Sequence, residues 1–141
     1  MTQVASLTAR NDLSELERLN DFLSRFWSEN GLPSDLAMDT GLALEEVFAN
    51  VVMHGFRDSE EHGILVRLAV EGDTVVLTVE DDGIPFNPAE VPPVDTSLPL
   101  EQRAVGGLGV HLVRSVMGEV EYARLDGRNR LIMRKRIVRS E

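Results

Sequence analysis

Apolar residues in the first part of the chain recur at helical spacing in two stretches. In the first stretch the apolar positions are Leu13, Leu16, Leu19, Leu23, Phe26 and Trp27. Asp12 and Glu15 have the spacing of a capping box before it, and Gly31 suits a left-handed C-cap after it. The second stretch begins at Ser34 and ends at His54-Gly55. The pattern predicts two consecutive amphipathic helices.

Four later segments alternate between apolar and polar residues with the period of a β-strand. Residues 64–70 and 74–80 predict one hairpin, and residues 120–125 and 131–138 predict a second hairpin around Asp126-Gly127. A further strand is predicted at residues 3–8. A third helix is predicted from the glycine-rich segment at 106–109 through Met117.

The predicted order is β, α, α, β, β, long loop, α, β, β. Hairpins require antiparallel pairing, whereas helical connections allow parallel pairing. We therefore expect an α+β fold: a two-layer α/β sandwich with a mixed, mostly antiparallel sheet and helices on one face. The 141 residues are enough for one domain, which we expect to span 1–141.

A long segment without a clean period separates the two hairpins. It holds five of the six prolines of the chain. Long loops in compact domains are usually functional or disordered. We predict that residues 84–105 form a lid over a bound ligand, and that the lid is mobile without one.

Composition excludes several classes of function. The chain has no cysteine, which rules out disulfides, thiolate nucleophiles and zinc–thiolate sites. Its net charge of −10 argues against nonspecific nucleic-acid binding and suits a basic protein partner. There is no apolar run long enough to span a membrane and no signal-peptide pattern in residues 1–10, so we expect a cytoplasmic protein.

Three short motifs carry candidate chemistry, and the first lies on the second predicted helix. Glu46, Asn50 and His54 are four residues apart and share one helical face. An amide oxygen at Asn50 suits Mg²⁺, and a carboxylate one turn earlier at Glu46 suits a general base. The alternative is a solvated polar stripe, with His54 in a structural role at the helix C-terminus.

The second motif, Asp81-Asp82-Gly83, directly follows an apolar strand. A carboxylate at the strand end can accept a hydrogen bond from an exocyclic amine, which would select adenine. Gly83 would allow the backbone to approach a flat base. The alternative is an Asp-Gly turn that closes the strand.

The third motif, Gly106-Gly107-Leu108-Gly109, opens a predicted helix. Backbone N–H groups at a helix N-terminus form an anion site, and the helix dipole favours phosphate. The motif is neither a P-loop nor a complete dinucleotide fingerprint. Arg103, in the preceding loop, would add positive charge. The alternative is a flexible hinge before the helix.

Together the motifs resemble the GHKL (Bergerat) ATPases, which include gyrase, Hsp90, histidine kinases and MutL. Glu46-x-x-x-Asn50 is similar to the N box, Asp81-x-Gly83 to the G1 box and Gly107-x-Gly109 to the G2 box. Residues 44–51 and 85–88 further resemble the anti-sigma-factor serine kinases. Pro85 departs from the family pattern, where a second glycine is usual.

The resemblance implies the Bergerat fold, ATP and Mg²⁺ as cofactors, and a role for each matching residue. Glu46 would be the general base and Asn50 the Mg²⁺ ligand. The expected nucleotide-binding residues are Asn50, Asp81, Gly83, Phe86, Arg103, Gly107, Leu108, Gly109 and Val110.

Members of this branch phosphorylate a serine on an antagonist (anti-anti-sigma) protein and sequester a sigma factor. The leading hypothesis is therefore a partner-switching protein-serine kinase, with a homodimer as a further expectation. Two alternatives remain open: a non-catalytic, nucleotide-dependent protein-binding module, and a simple ATP hydrolase.

Overall fold

The structure is a computed structural model that describes residues 3–89 and 113–138. Its elements are β1 (Gln3–Arg10), a 3₁₀ turn (Leu13–Glu15), α1 (Leu16–Glu29), α2 (Ser34–His54), β2 (Gly63–Glu71), β3 (Thr74–Asp81), β4 (Glu119–Leu125) and β5 (Arg128–Arg136). Residues 113–117 are also helical. The helices and strands predicted from periodicity are confirmed wherever the chain is described.

The strands form a five-stranded sheet in the order β1-β2-β3-β5-β4. Each described pairing is antiparallel, so the parallel pairing expected of a mixed sheet is wrong for this part of the chain. The reason lies in the position of β5. Strands β3 and β4 run in the same direction, but β5 lies between them and is antiparallel to both.

One face of the sheet carries the helices. On β2, Ile64, Val66 and Leu68 are fully buried, whereas Arg67 between them is exposed. The buried face packs against apolar side chains of both helices in a single core, including Phe48 at the centre of α2. Truncating a fully buried Phe to Ala typically costs about 3–5 kcal/mol, so this contact is a major part of the layer packing. No helix of the described residues is both long and apolar enough to cross a membrane.

The turn between β4 and β5 sets the register of the last hairpin. Asp126 and Gly127 both have positive φ, at 52° and 76°. Two consecutive residues of this kind make the tight turn whose twist matches that of the flanking strands. Arg124 is therefore paired across the hairpin with Asn129. On its other side, Asn129 is paired with Asp81 of β3.

The junction between β1 and α1 differs from a simple capping box. Asp12 caps the 3₁₀ turn by accepting from the Ser14 N–H at 2.9 Å. Glu15 reaches back past Asp12 and accepts from the Arg10 backbone N–H at 3.0 Å. A capping box would have Glu15 accept from the backbone N–H of Asp12. Glu15 instead bonds to the backbone of Arg10, because its carboxylate also pairs with the side chains of Arg10 and Arg18.

Candidate functional site

The polar stripe predicted on α2 exists, and its members differ in burial. Asn50 is 5% exposed, Glu46 is half-buried and His54 is exposed at the end of the helix. Apolar neighbours such as Val47 and Val51 turn into the core. A polar amide buried beside such a core requires a partner.

The partner of Asn50 is the backbone of the loop after β3. Its amide nitrogen donates to the Pro88 carbonyl at 3.0 Å. Since the nitrogen is engaged there, the other end of the amide, Oδ1, is the atom left to accept or to bind a cation. Glu45 points away from this face and accepts from Asn20 of α1 at 3.2 Å. Of the two neighbouring carboxylates, Glu45 therefore makes a contact between the helices, and Glu46 lies on the face of the candidate site.

Asp81 is the last residue of β3 and is 1% exposed. Its Oδ1 accepts from the Gly83 N–H at 2.8 Å and from the Asn129 side-chain amide at 3.0 Å. In the described residues no donor reaches the second oxygen, Oδ2. One oxygen is thus fixed by the protein and the other is available for a ligand.

Burial raises the pKa of the Asp81 carboxyl above its ordinary value, because desolvation disfavours the charged form. The hydrogen bonds from Asn129 and Gly83 oppose this effect by stabilising the carboxylate. Both donors are neutral groups. The carboxylate therefore keeps most of its capacity to interact with a further donor.

Gly83 has a structural role that the sequence analysis did not predict. A Cβ at this position would collide with the carbonyl oxygen of Gly55, just past the end of α2. The same carbonyl accepts from the Ile84 N–H at 2.9 Å. Glycine at 83 allows the loop to lie directly against the end of α2, which brings the first two motifs together.

The beginning of the predicted lid is tied to the core. Ile84 bonds to the end of α2, and Pro88 bonds to Asn50. The Phe86 ring lies 6.0 Å from the His54 ring, measured between centroids and with the planes tilted by 47°. The contact supports the structural reading of His54. Ala89 is fully buried, so a mobile lid is an expectation only for 90–105, which lie outside the described residues.

Asn129 is a central residue of the site that the sequence analysis missed. Its side-chain nitrogen donates to Asp81 and, at 2.7 Å, to the Ile84 carbonyl. Its Oδ1 accepts from the Phe86 N–H at 3.2 Å. We predicted that the last strand begins at residue 131, which left Asn129 in the turn. The signal that would have found it is the alternation of strand residues between the two faces of the sheet. Positions 129, 131 and 133 of β5 face inward, and the residue at 129 is polar.

The remaining predicted nucleotide-binding residues lie outside the described part of the chain. They are Arg103, Gly107, Leu108, Gly109 and Val110. The helix predicted after them is confirmed for residues 113–117. It ends at Gly118, which has a φ of 86° and donates to the Arg114 carbonyl at 3.2 Å.

The described residues fit a magnesium–adenine nucleotide at the two places where they can be tested. Asp81 offers a carboxylate oxygen that no donor of the described residues reaches, which suits the exocyclic amine of adenine. Asn50 offers an amide oxygen whose direction is fixed by the bond from its nitrogen to Pro88, and hard oxygen ligands suit Mg²⁺. Gly83 and Ile84 connect these two places through the end of α2.

Comparison with known proteins agrees with the geometry. Residues 9–135 match the model of the histidine kinase-like ATPase domain. The serine-protein kinase RsbW of Listeria monocytogenes serovar 1/2a is 29% identical over 119 residues, which cover 82% of this chain and 74% of that protein. RsbW of Bacillus pumilus is 31% identical over 105 residues, covering 70% of this chain and 65% of the relative.

A solved structure supports the same fold. It contains the RsbU and RsbW domains of a Mycobacterium tuberculosis protein and superposes with a TM-score of 0.71 at 19% identity. The superposition covers 98% of this chain and 33% of the solved one. The superposition confirms the predicted sandwich architecture, and the match to the family model confirms the resemblance predicted from the motifs. This chain belongs to the family of histidine kinase-like ATPase domains.

Proposed function

We propose that the protein is an ATP-dependent serine-protein kinase of the anti-sigma-factor type. It would transfer the γ-phosphoryl group of ATP to a serine of an antagonist protein and would sequester a sigma factor until that antagonist displaces it. The observation that carries the proposal is the buried carboxylate of Asp81, which is held through Oδ1 and whose Oδ2 has no donor within residues 3–89 and 113–138. The kinase names of the relatives support the same assignment.

Asp81 is the proposed adenine acceptor. Its free oxygen would accept from the exocyclic amine, while Gly83 and Phe86 would line the base. A guanine base presents a carbonyl oxygen at the corresponding position, which an ionised carboxylate repels. Burial strengthens this discrimination because unpaired polar groups are costly in a site that excludes water.

Asn50 and Glu46 are the proposed residues at the reacting end. Asn50 would hold Mg²⁺ through Oδ1, and the ion, when bound, supplies positive charge for the transferring phosphoryl group. Glu46 lies one turn before Asn50 on the same face of α2 and would orient the serine hydroxyl and take up its proton. The half-buried carboxylate has no hydrogen-bond donor in the described residues, which leaves it available for this task.

The phosphate end of the proposal depends on residues that follow the proline-rich segment. Gly107 and Gly109 would present backbone N–H groups to the phosphates, with Leu108 and Val110 in the same turn. Arg103 would contribute a further positive charge. These assignments come from the family pattern and stay predictions.

The proposed partners are proteins. The net charge of −10 favours partners with basic surfaces and disfavours nucleic acid. A homodimer is part of the same proposal, as the resemblance to the anti-sigma-factor kinases implies. Sedimentation equilibrium of the purified chain would give a mass of two chains, and a monomer across the micromolar range would remove the dimer from the proposal.

The kinase assignment is tested by transfer of ³²P from [γ-³²P]ATP to a serine of proteins co-purified with the chain. Glu46→Gln should retain ATP binding and lower transfer by roughly 10²- to 10⁴-fold, the usual contribution of a general base. Glu45→Gln is the matched control, because Glu45 is the neighbouring carboxylate and accepts a hydrogen bond from Asn20 of α1, away from the candidate site. It should leave both ATP binding and transfer unchanged.

Three outcomes would contradict parts of the proposal. Full transfer by Glu46→Gln would remove the assigned role of Glu46. ATP binding without transfer in the wild type would favour a nucleotide-dependent binding module. Steady release of phosphate without a labelled protein would favour an ATP hydrolase.

A further inference from the structure

The side chain of Asn129 makes five hydrogen bonds with described residues. Besides its bonds to Asp81, Ile84 and Phe86, its Oδ1 accepts from the Tyr122 hydroxyl at 2.5 Å and from Arg124 Nη1 at 3.1 Å. Both donors lie on β4, and Asp81 lies on β3. The amide is 1% exposed and joins three strands to the loop that follows Asp81.

The orientation of the Asn129 amide is fixed by partners that can only donate or can only accept a hydrogen bond. The Ile84 carbonyl can only accept, so it requires the nitrogen end of Asn129. The Phe86 N–H can only donate, so it requires the oxygen end. The nitrogen therefore faces Asp81, and no flip of the amide satisfies the same set of bonds.

This orientation has a direct chemical consequence for Asp81. Oδ1 of Asp81 receives two donors, from Asn129 and Gly83, and cannot carry a proton without losing one of them. Both neighbours thus favour the ionised carboxylate, which is an acceptor only. Burial acts in the opposite direction by raising the pKa of Asp81, and the two donors offset part of that effect.

We propose that Asn129 is the positioning residue that makes Asp81 select a base with an exocyclic amine over a base with a carbonyl oxygen. The proposal rests on the function proposed above, in which Asp81 binds adenine. Asn129 does not touch the base in this account. It acts through Asp81 and, by holding Ile84 and Phe86, through the loop that lines the base.

The test compares the binding of ATP and ITP, which differ where ATP has the exocyclic amine and ITP a carbonyl oxygen. The readout is the ratio of the two dissociation constants in the full chain with Mg²⁺. In Asn129→Asp a carboxyl oxygen replaces the nitrogen that faces Asp81. Two adjacent carboxyls favour uptake of a proton by one of them, and a proton on Oδ2 of Asp81 can donate to the ITP oxygen.

We expect Asn129→Asp to weaken ATP binding by roughly 10- to 100-fold, the usual effect of losing a hydrogen bond to a charged group. The preference for ATP over ITP should fall to within about threefold. Asn129→Ala, which removes the donor without adding a carboxyl, should weaken ATP binding and also reduce the preference. Thermal unfolding of each variant confirms that binding is measured on folded protein.

Arg130→Gln is the matched control. Arg130 lies next to Asn129 on the opposite face of β5 and pairs with the buried Glu80 at 3.0 Å. The substitution should lower stability without changing the ATP-to-ITP ratio. A loss of stability alone therefore does not reproduce the effect expected at Asn129.

The outcomes separate this inference from the proposed function. If the wild type binds ATP and rejects ITP while folded Asn129→Asp and Asn129→Ala do the same, Asn129 does not set the selectivity. If the folded wild type binds neither nucleotide, the proposed function itself fails. If Arg130→Gln changes the ratio as much as Asn129→Asp, the effect is structural and the inference is overturned.

Discussion

Two buried carboxylates, Glu15 and Asp81, show how the same chemical group is used differently in two regions of the fold. Glu15 is 5% exposed and Asp81 is 1% exposed. Glu15 accepts from the Arg10 backbone and from the Arg10 and Arg18 side chains. Among the residues that the structure describes, Asp81 accepts only from neutral groups, Gly83 and Asn129. Glu15 is thus paired directly with two guanidinium groups, whereas no cation pairs directly with Asp81 in the described part of the chain.

The pKa shifts of the two groups follow from these partners. Hydrogen bonds and charge from Arg10, with further charge from Arg18, lower the pKa of Glu15 below its ordinary value. Desolvation raises the pKa of Asp81. A carboxylate that folding stabilises serves the structure, whereas one that folding destabilises is a candidate for ligand binding. This contrast separates a structural carboxylate in the 3₁₀ turn from a candidate ligand-binding carboxylate at the end of β3.

The largest expected effect is that of Asp81→Asn. Its Oδ1 would keep the bonds from Gly83 and Asn129, but its nitrogen would present a donor to the donor of adenine. We expect ATP binding to weaken by about 100-fold and the preference for ATP over ITP to disappear. Calorimetric titration measures both constants, and undiminished ATP binding would show that Asp81 does not contact the base.

Glu15→Gln should have the opposite profile. It should lower the urea midpoint of unfolding, because the charge that pairs with Arg10 and Arg18 is lost, and leave ATP binding unchanged. The lowered pKa of Glu15 means that its contribution is present above pH 4.5 and is lost as pH falls through the folded-state pKa. The variant should therefore show a flatter loss of stability below pH 4.5. A wild-type slope in that range would contradict the assigned pairing.

Thr40 provides a third buried polar group for the comparison, and Thr40→Val removes its hydroxyl. The Thr40 hydroxyl is fully buried in α2 and has no hydrogen-bond partner among the residues that the structure describes. Replacing it by a methyl group of similar shape should raise the free energy of unfolding by about 1 kcal/mol. Denaturant unfolding measures the change. A loss of stability would mean that the hydroxyl has a favourable interaction in solution.

The smallest expected effect concerns His62, whose two ring nitrogens lie 2.7 Å from Asp58 and 3.1 Å from Asp82. The hydrogen bond to Asp58, with a smaller effect from Asp82, raises the pKa of His62 above 6.5. Its contribution to stability is thus complete below pH 6.5 and is lost as pH rises through the folded-state pKa. His62→Gln should remove this slope, which urea midpoints at several pH values between 6 and 9 would detect. An unchanged slope would assign it to another group.

Much of the fold was predictable because its strands and helices have clear periods. Two helices between β1 and β2 and a tight turn at Asp126-Gly127 left few arrangements for the chain. The wrong element was the mixed sheet, since the position of β5 between β3 and β4 is a long-range choice that local patterns do not contain. Strand order is decided by contacts between segments that are distant in the sequence, so the pattern within one segment does not contain it.

Candidate site residues that stand in short sequence motifs could be predicted from the sequence. Those placed by the cross-strand register of the sheet could not. Asp81 and Asn50 stand in short recognisable motifs, and the loop between them is held by contacts at Gly83 and Pro88. Asn129 is joined to Asp81 by cross-strand pairing 48 residues apart. An error of three residues in the start of β5 was enough to hide it.

The most direct test of the central claim is calorimetric titration of ATP, with and without Mg²⁺, into the wild type and Asn50→Ala. The account predicts ATP binding that is strengthened by Mg²⁺ in the wild type, and an Asn50→Ala variant in which the strengthening is lost. Failure of a well-folded wild type to bind ATP would contradict the account, and the chain would then have to act through protein contacts without nucleotide.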